Sequence, residues 1–109
     1  MRPASRTAAA PAILLAGAFF AAGAQAHTPL FACYGNPDDT VFCEGGFSDG
    51  SSAAGIALRI LDGAGQVLVE TSMPDNSEFE FEKPDGDYRV VFDAGPGHVI
   101  EIDGADIFD

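Results

Sequence analysis

The chain has 109 residues, with 17 acidic side chains against five lysines and arginines and a formal net charge of −12 at pH 7. Its length predicts one small domain. A surface this acidic repels nucleic acid and anionic lipid, which excludes both as partners, whereas it attracts cations and basic proteins.

Residues 1–26 have the three parts of a secretory signal peptide. Arg2 and Arg6 form a positive start, an apolar stretch covers residues 8–22, and an A-x-A cleavage site closes the segment at residues 24–26. The alternative is an uncleaved membrane anchor, but two glycines interrupt the apolar stretch and it is shorter than the roughly 20 residues that a spanning helix needs. We therefore predict a periplasmic or secreted domain of residues 27–109, not inserted in a membrane after cleavage. Loss of the two arginines makes its net charge −14.

The remaining sequence consists of short apolar-polar alternations separated by turn residues. The clearest alternation is Glu78-Phe79-Glu80-Phe81-Glu82, with phenylalanines on one face and glutamates on the other. No stretch of a dozen residues has helical periodicity. The sequence predicts an all-β fold, a small antiparallel β-sandwich of about seven strands with loose ends at residues 27–29 and 104–109. The strands are expected near residues 31–34, 41–47, 56–61, 66–70, 78–82, 88–93 and 98–102.

Cys33 and Cys43 are the two cysteines of the chain. A turn at residues 37–39 places them opposite each other on neighbouring strands, at the separation that a disulfide requires. Export would place them in an oxidising compartment. A thiolate metal pair or a redox couple is the alternative, although the C-x9-C spacing differs from the C-x-x-C of such motifs. We predict a structural disulfide.

The two histidines, His27 and His98, are the candidate metal ligands. Cleavage would make His27 the first residue, so that its free amine and imidazole form a bidentate nitrogen pair. His98 follows a Gly-Pro-Gly turn and would supply a second imidazole. Nitrogen ligands favour nickel, cobalt or copper over calcium. Alternatively, both are ordinary surface residues. Three carboxylates are candidates for completing the metal shell or orienting the histidines: Asp93, Glu101 and Asp103.

Several segments together resemble a known family. They comprise residues 27–31, 44–50, 59–62, 67–68, 79–81 and, most specifically, DGDYRVVFDAGPGH at residues 85–98. The chain resembles the small periplasmic accessory components of nickel and cobalt uptake transporters, which are similar to carboxypeptidase regulatory-like domains. The resemblance implies a transthyretin/Ig-like sandwich, a divalent-metal role for His27 and His98, and a membrane metal transporter or other envelope protein as partner. Cys33 and Cys43 are not part of the family pattern.

The function expected from the sequence is that of an exported metal-binding accessory protein for nickel, cobalt or copper uptake or delivery. The alternative is a non-catalytic acidic β-sandwich module that mediates protein–protein interaction in the cell envelope. An enzyme is not expected. Three serines lie near Asp49, but no nucleophile elbow surrounds them and no carboxylate pair is set apart for acid–base chemistry.

Overall fold

The computed structural model describes residues 27–108; the predicted signal peptide and Asp109 lie outside this range. The described chain contains seven strands and ends in one turn of 3-10 helix, Gly104–Asp106. The strands are β1 (Pro29–Gly35), β2 (Thr40–Phe47), β3 (Ala57–Asp62), β4 (Val67–Ser72), β5 (Glu78–Glu82), β6 (Tyr88–Asp93) and β7 (Val99–Asp103).

The strands form two antiparallel sheets. The order is β1-β2-β5 in the three-stranded sheet and β4-β3-β6-β7 in the four-stranded sheet. This confirms the predicted all-β class and the seven-stranded antiparallel arrangement, which is that of a small β-sandwich. Within residues 27–108, no helix is long and apolar enough to cross a membrane.

The core consists of side chains that the period of two sends inward from both sheets. Leu58 and Ile60 of β3 are fully buried, as are Val90 and Phe92 of β6. The remaining buried apolar residues are Val41, Cys43, Phe47, Ala53, Met73, Tyr88 and Val91. The inward phenylalanines of β5 pack against this cluster.

The β1–β2 register confirms the cysteine prediction. Tyr34 pairs with Phe42 and Cys33 with Cys43, and the two cysteines form a disulfide with a Cα–Cα distance of 4.1 Å. The disulfide lies beside the core, since Cys43 is fully buried. The disulfide joins β1 and β2 near the end of the hairpin that turns through residues 36–39.

The described residues of both segments expected to be loose, 27–29 and 104–108, instead lie against the sandwich. At the amino end, the Ser48 amide donates to the Thr28 carbonyl at 2.8 Å. At the carboxyl end, Ile107 packs against the core and the Gly35 amide donates to the Phe108 carbonyl at 2.8 Å. These contacts join residues far apart in the chain, so local sequence patterns could not reveal them.

Candidate functional site

His27 and His98, from opposite ends of the described chain, line one pocket of about 410 Å³. The pocket lies where the chain enters β1, beside the turn between β6 and β7. Its other walls are mostly small or apolar: Phe47, Ser51, Ser52, Ile56 and Ala94. The fold thus brings together the two histidines that the sequence singled out.

The His27 ring is held by two contacts. It stacks on Phe47, with ring centroids 4.3 Å apart and an interplanar angle of 17°. Its Nδ1 lies 2.8 Å from Oδ2 of Asp49. An ionised carboxylate only accepts hydrogen bonds, so Nδ1 is the donor, and in the neutral ring Nε2 keeps the free lone pair. A histidine oriented in this way by a carboxylate is a common arrangement in metal sites.

Asp49 is itself fixed by the loop that follows β2. Its Oδ1 accepts from the Ser51 hydroxyl at 2.6 Å and from the Ser51 amide at 3.0 Å. These two bonds, together with the bond from His27, hold the pKa of Asp49 at about 2. Asp49 therefore stays ionised at neutral pH. The Asp-Gly-Ser sequence indicates the local bonds to Ser51, but nothing in it points to His27, and the sequence analysis missed this partner.

His98 is positioned by a tight turn over residues 95–98. The His98 amide donates to the Gly95 carbonyl at 2.8 Å, and Gly97 has φ = 78°. Proline at the second position and a glycine with positive φ at the third are the features of a type II turn. Nδ1 of His98 lies 3.1 Å from the Pro96 carbonyl oxygen, which can only accept. The neutral ring therefore also keeps its lone pair on Nε2.

The three carboxylates expected near the histidines have other roles, and none of them lines the pocket. Asp93 pairs with Arg59 at 3.1 Å and accepts from the Gly95 amide at 3.0 Å, which supports the turn that carries His98 but does not touch the ring. Glu101 forms an ion pair with Arg89, and Asp103 caps the 3-10 helix. The structure does not place these carboxylates in the pocket, because Asp93 faces Arg59 and β7 carries Glu101 and Asp103 away from the turn that holds His98.

Within residues 27–108, no group of three or more histidine, cysteine, aspartate or glutamate side chains is arranged to hold a metal ion. The side-chain ligands on offer at this pocket are therefore two imidazoles. The amine chelate predicted from the sequence uses Nδ1 of His27, the nitrogen that here donates to Asp49. Chelation would require the ring to leave that carboxylate.

Comparison of the chain with protein-family models, with curated proteins and with solved structures found no significant match. The relation to transporter accessory components stays a prediction from the sequence resemblance.

Proposed function

We propose that the mature protein is a periplasmic accessory protein that binds nickel, cobalt or copper(II) between His27 and His98, for uptake by a membrane transporter or for delivery. The observation that carries the proposal is that both histidines line one pocket, each with Nδ1 engaged by a hydrogen-bond acceptor. Each ring is thereby oriented with Nε2 available, which is the form in which an imidazole binds a metal ion.

A site with few protein ligands suits a protein that passes its metal on. Two imidazoles leave coordination positions for water or for a ligand from the partner. Such an open position is also what a transfer step needs. The disulfide between Cys33 and Cys43 supports the export part of the proposal, because disulfides persist in oxidising compartments.

Two binding modes are consistent with the proposal. In the first, the metal lies between Nε2 of His27 and Nε2 of His98, with Asp49 holding the His27 ring. In the second, cleavage frees the amine of His27, the ring leaves Asp49, and amine and Nδ1 chelate the ion together with His98. The first mode needs Asp49 and the second needs the amine, so the modes can be separated.

The test is calorimetric titration of the mature protein, starting at His27, with nickel, cobalt, copper and zinc. We expect one-to-one binding that His98→Ala weakens by at least about tenfold. Asp49→Asn keeps the acceptor for Ser51 but removes the charge. It should weaken binding in the Nε2 mode, whereas one alanine added before His27 should weaken binding only in the chelate mode.

The matched control is Asp38→Asn, which removes the charge of a carboxylate that accepts from the Thr40 amide and hydroxyl as Asp49 does from Ser51, but lies outside the pocket. It should leave the affinity within about twofold of the unmodified protein. If His27→Ala and His98→Ala both bind each metal as the unmodified protein does, the proposed metal site does not exist. The acidic interaction module would then be the leading function.

A further inference from the structure

The outer face of the three-stranded sheet is divided into an apolar half and an acidic half. On β1, Leu30 is 53% exposed and Tyr34 is 48% exposed. Phe42 of β2 pairs with Tyr34 and lies on the same face. On the other side, β5 contributes the exposed row Glu78, Glu80 and Glu82. The apolar side chains and the carboxylates thus run side by side along the strands.

Within the strands of this sheet, no basic side chain balances the acidic half. Glu78 lies directly opposite Glu44 of β2, a like-charge cross-strand pair that costs stability. None of the three strands contains lysine or arginine. The two arginines in the described chain pair with carboxylates on the other sheet, Asp93 and Glu101. The face therefore presents a row of carboxylates, with Lys83 next to it in the chain, beside exposed apolar surface.

A groove of about 610 Å³ continues this face at one end. Leu30, Ala32 and Glu44 line it, and Gly46 forms its floor because the strand has no side chain there. A Cβ added at Gly46 would meet only the Ser51 carbonyl, at 3.7 Å. The space above Gly46 is therefore open, whereas Gly45 faces inward, where a Cβ would lie 3.0 Å from the Phe92 ring.

The charge decides which occupant fits this face. A second copy would bring the same carboxylates and be repelled. Nucleic acid and anionic lipid are excluded for the same reason. A segment with basic side chains for the glutamate row and an apolar side chain for the groove matches both halves of the face.

We propose that this face, formed by the groove at Gly46 and the glutamate row of β5, binds a basic segment of a partner protein that carries apolar side chains. It lies next to the histidine pocket, since Phe47, Ser51 and Ser52 line both cavities. A partner bound here would contact the loop that fixes His27. The proposal does not depend on metal binding, and it identifies the surface that an envelope partner would use.

The experiment uses the metal-free mature protein and a fluorescent peptide of alternating lysine and leucine, with binding followed by anisotropy. The triple variant E78Q/E80Q/E82Q should weaken binding by at least about tenfold. The matched control D75N/D85N/D87N removes the same charge from exposed turn positions and should weaken it by less than about threefold. The same peptide with glutamate in place of lysine should not bind.

Gly46→Val tests the groove separately from the charge. Valine suits a strand, and a Cβ at this position meets only the Ser51 carbonyl, at 3.7 Å, so the variant should keep its fold by circular dichroism. Filling the groove should weaken peptide binding by at least about fivefold, and Gly46→Ala should have a smaller effect. Equal effects of the two triple variants, or unchanged binding by a folded Gly46→Val, would overturn the proposal. Neither result bears on metal affinity, which the calorimetric titration tests.

Discussion

At the scale of single residues, Asp49 links the two properties of the candidate site, its charge and its geometry. The carboxylate receives two bonds from Ser51 through one oxygen and one bond from His27 through the other. Because Ser51 is two residues away, Asp49 is positioned by local structure whether or not His27 is bound. The loop after β2 can therefore hold the histidine ring without help from a metal ion.

We predict that Ser51→Ala raises the pKa of Asp49 from about 2 toward its ordinary value of 3.8, because the Ser51 hydroxyl is the largest cause of the lowering. A carboxyl whose pKa is lower in the folded state stabilises the fold above its ordinary pKa. That contribution is lost as the pH falls through about 2. Side-chain carboxyl NMR of the metal-free protein between about pH 1.5 and 6 measures the pKa directly.

The control for this titration is Asp38, whose pKa is lowered chiefly by the Thr40 hydroxyl. Thr40→Ala should raise the pKa of Asp38 and leave that of Asp49 unchanged. A Ser51→Ala protein in which Asp49 still titrates near its original pKa would show that the hydroxyl is not the cause.

At the scale of elements, the β1–β2 hairpin connects the disulfide to the outer face. Its register places Cys33 and Cys43 opposite each other on the core side, and it sends Tyr34 and Phe42 to the outside. A shift of one residue would exchange the two faces. The disulfide therefore fixes the register on which both the core and the proposed docking face depend.

We expect the double variant C33A/C43A to lower the free energy of unfolding by roughly 2–3 kcal/mol, because the cross-link closes a short loop and restricts the unfolded chain. Urea denaturation measures the difference. The unmodified protein kept reduced is the control, since it has lost the cross-link but retains both side chains. If reduction alone leaves stability unchanged, the disulfide contributes nothing through the unfolded state.

The like-charge pair of Glu44 and Glu78 gives a second prediction for the same sheet. Glu44→Lys turns a repulsive cross-strand pair into an attractive one and should raise the free energy of unfolding by about 0.2–1 kcal/mol. Glu44→Gln removes only the repulsion and should have a smaller effect. Urea denaturation at low salt measures both variants, and a less stable Glu44→Lys protein would contradict the prediction. In that case the Glu44–Glu78 repulsion would not lower the free energy of unfolding of this sheet.

At the scale of the whole molecule, the excess of acidic over basic residues dominates the electrostatics of the surface. Residues 27–109 contain three lysines and arginines against 17 acidic residues. Two of the basic residues are already in ion pairs within the four-stranded sheet. Most carboxylates therefore repel one another across the surface, which destabilises the compact state.

Salt should therefore stabilise the protein. Raising sodium chloride from about 10 mM to about 300 mM shortens the screening length from about 30 Å to below about 8 Å, and the urea midpoint should rise. The E78Q/E80Q/E82Q variant should show a smaller rise because it carries less charge. A midpoint independent of salt would mean that the surface charges are too far apart to interact.

The sequence alone determined the fold class, all seven strands and the disulfide. These features follow from local patterns, since alternation selects strands and turn residues separate them. The cysteine pairing needed only one short hairpin. The Asp-Gly-Ser sequence likewise indicated the local bonds between Asp49 and Ser51, but not the contact of Asp49 with His27.

Only the tertiary structure decided which residues meet at the candidate site. His27 and His98 were named as candidates from their chemistry, but whether they share a pocket depended on how the two sheets pack. The carboxylate that contacts His27 is Asp49, because a loop contact distant in the sequence places it there. Local sequence patterns carry no information about which loops become neighbours when two sheets pack face to face.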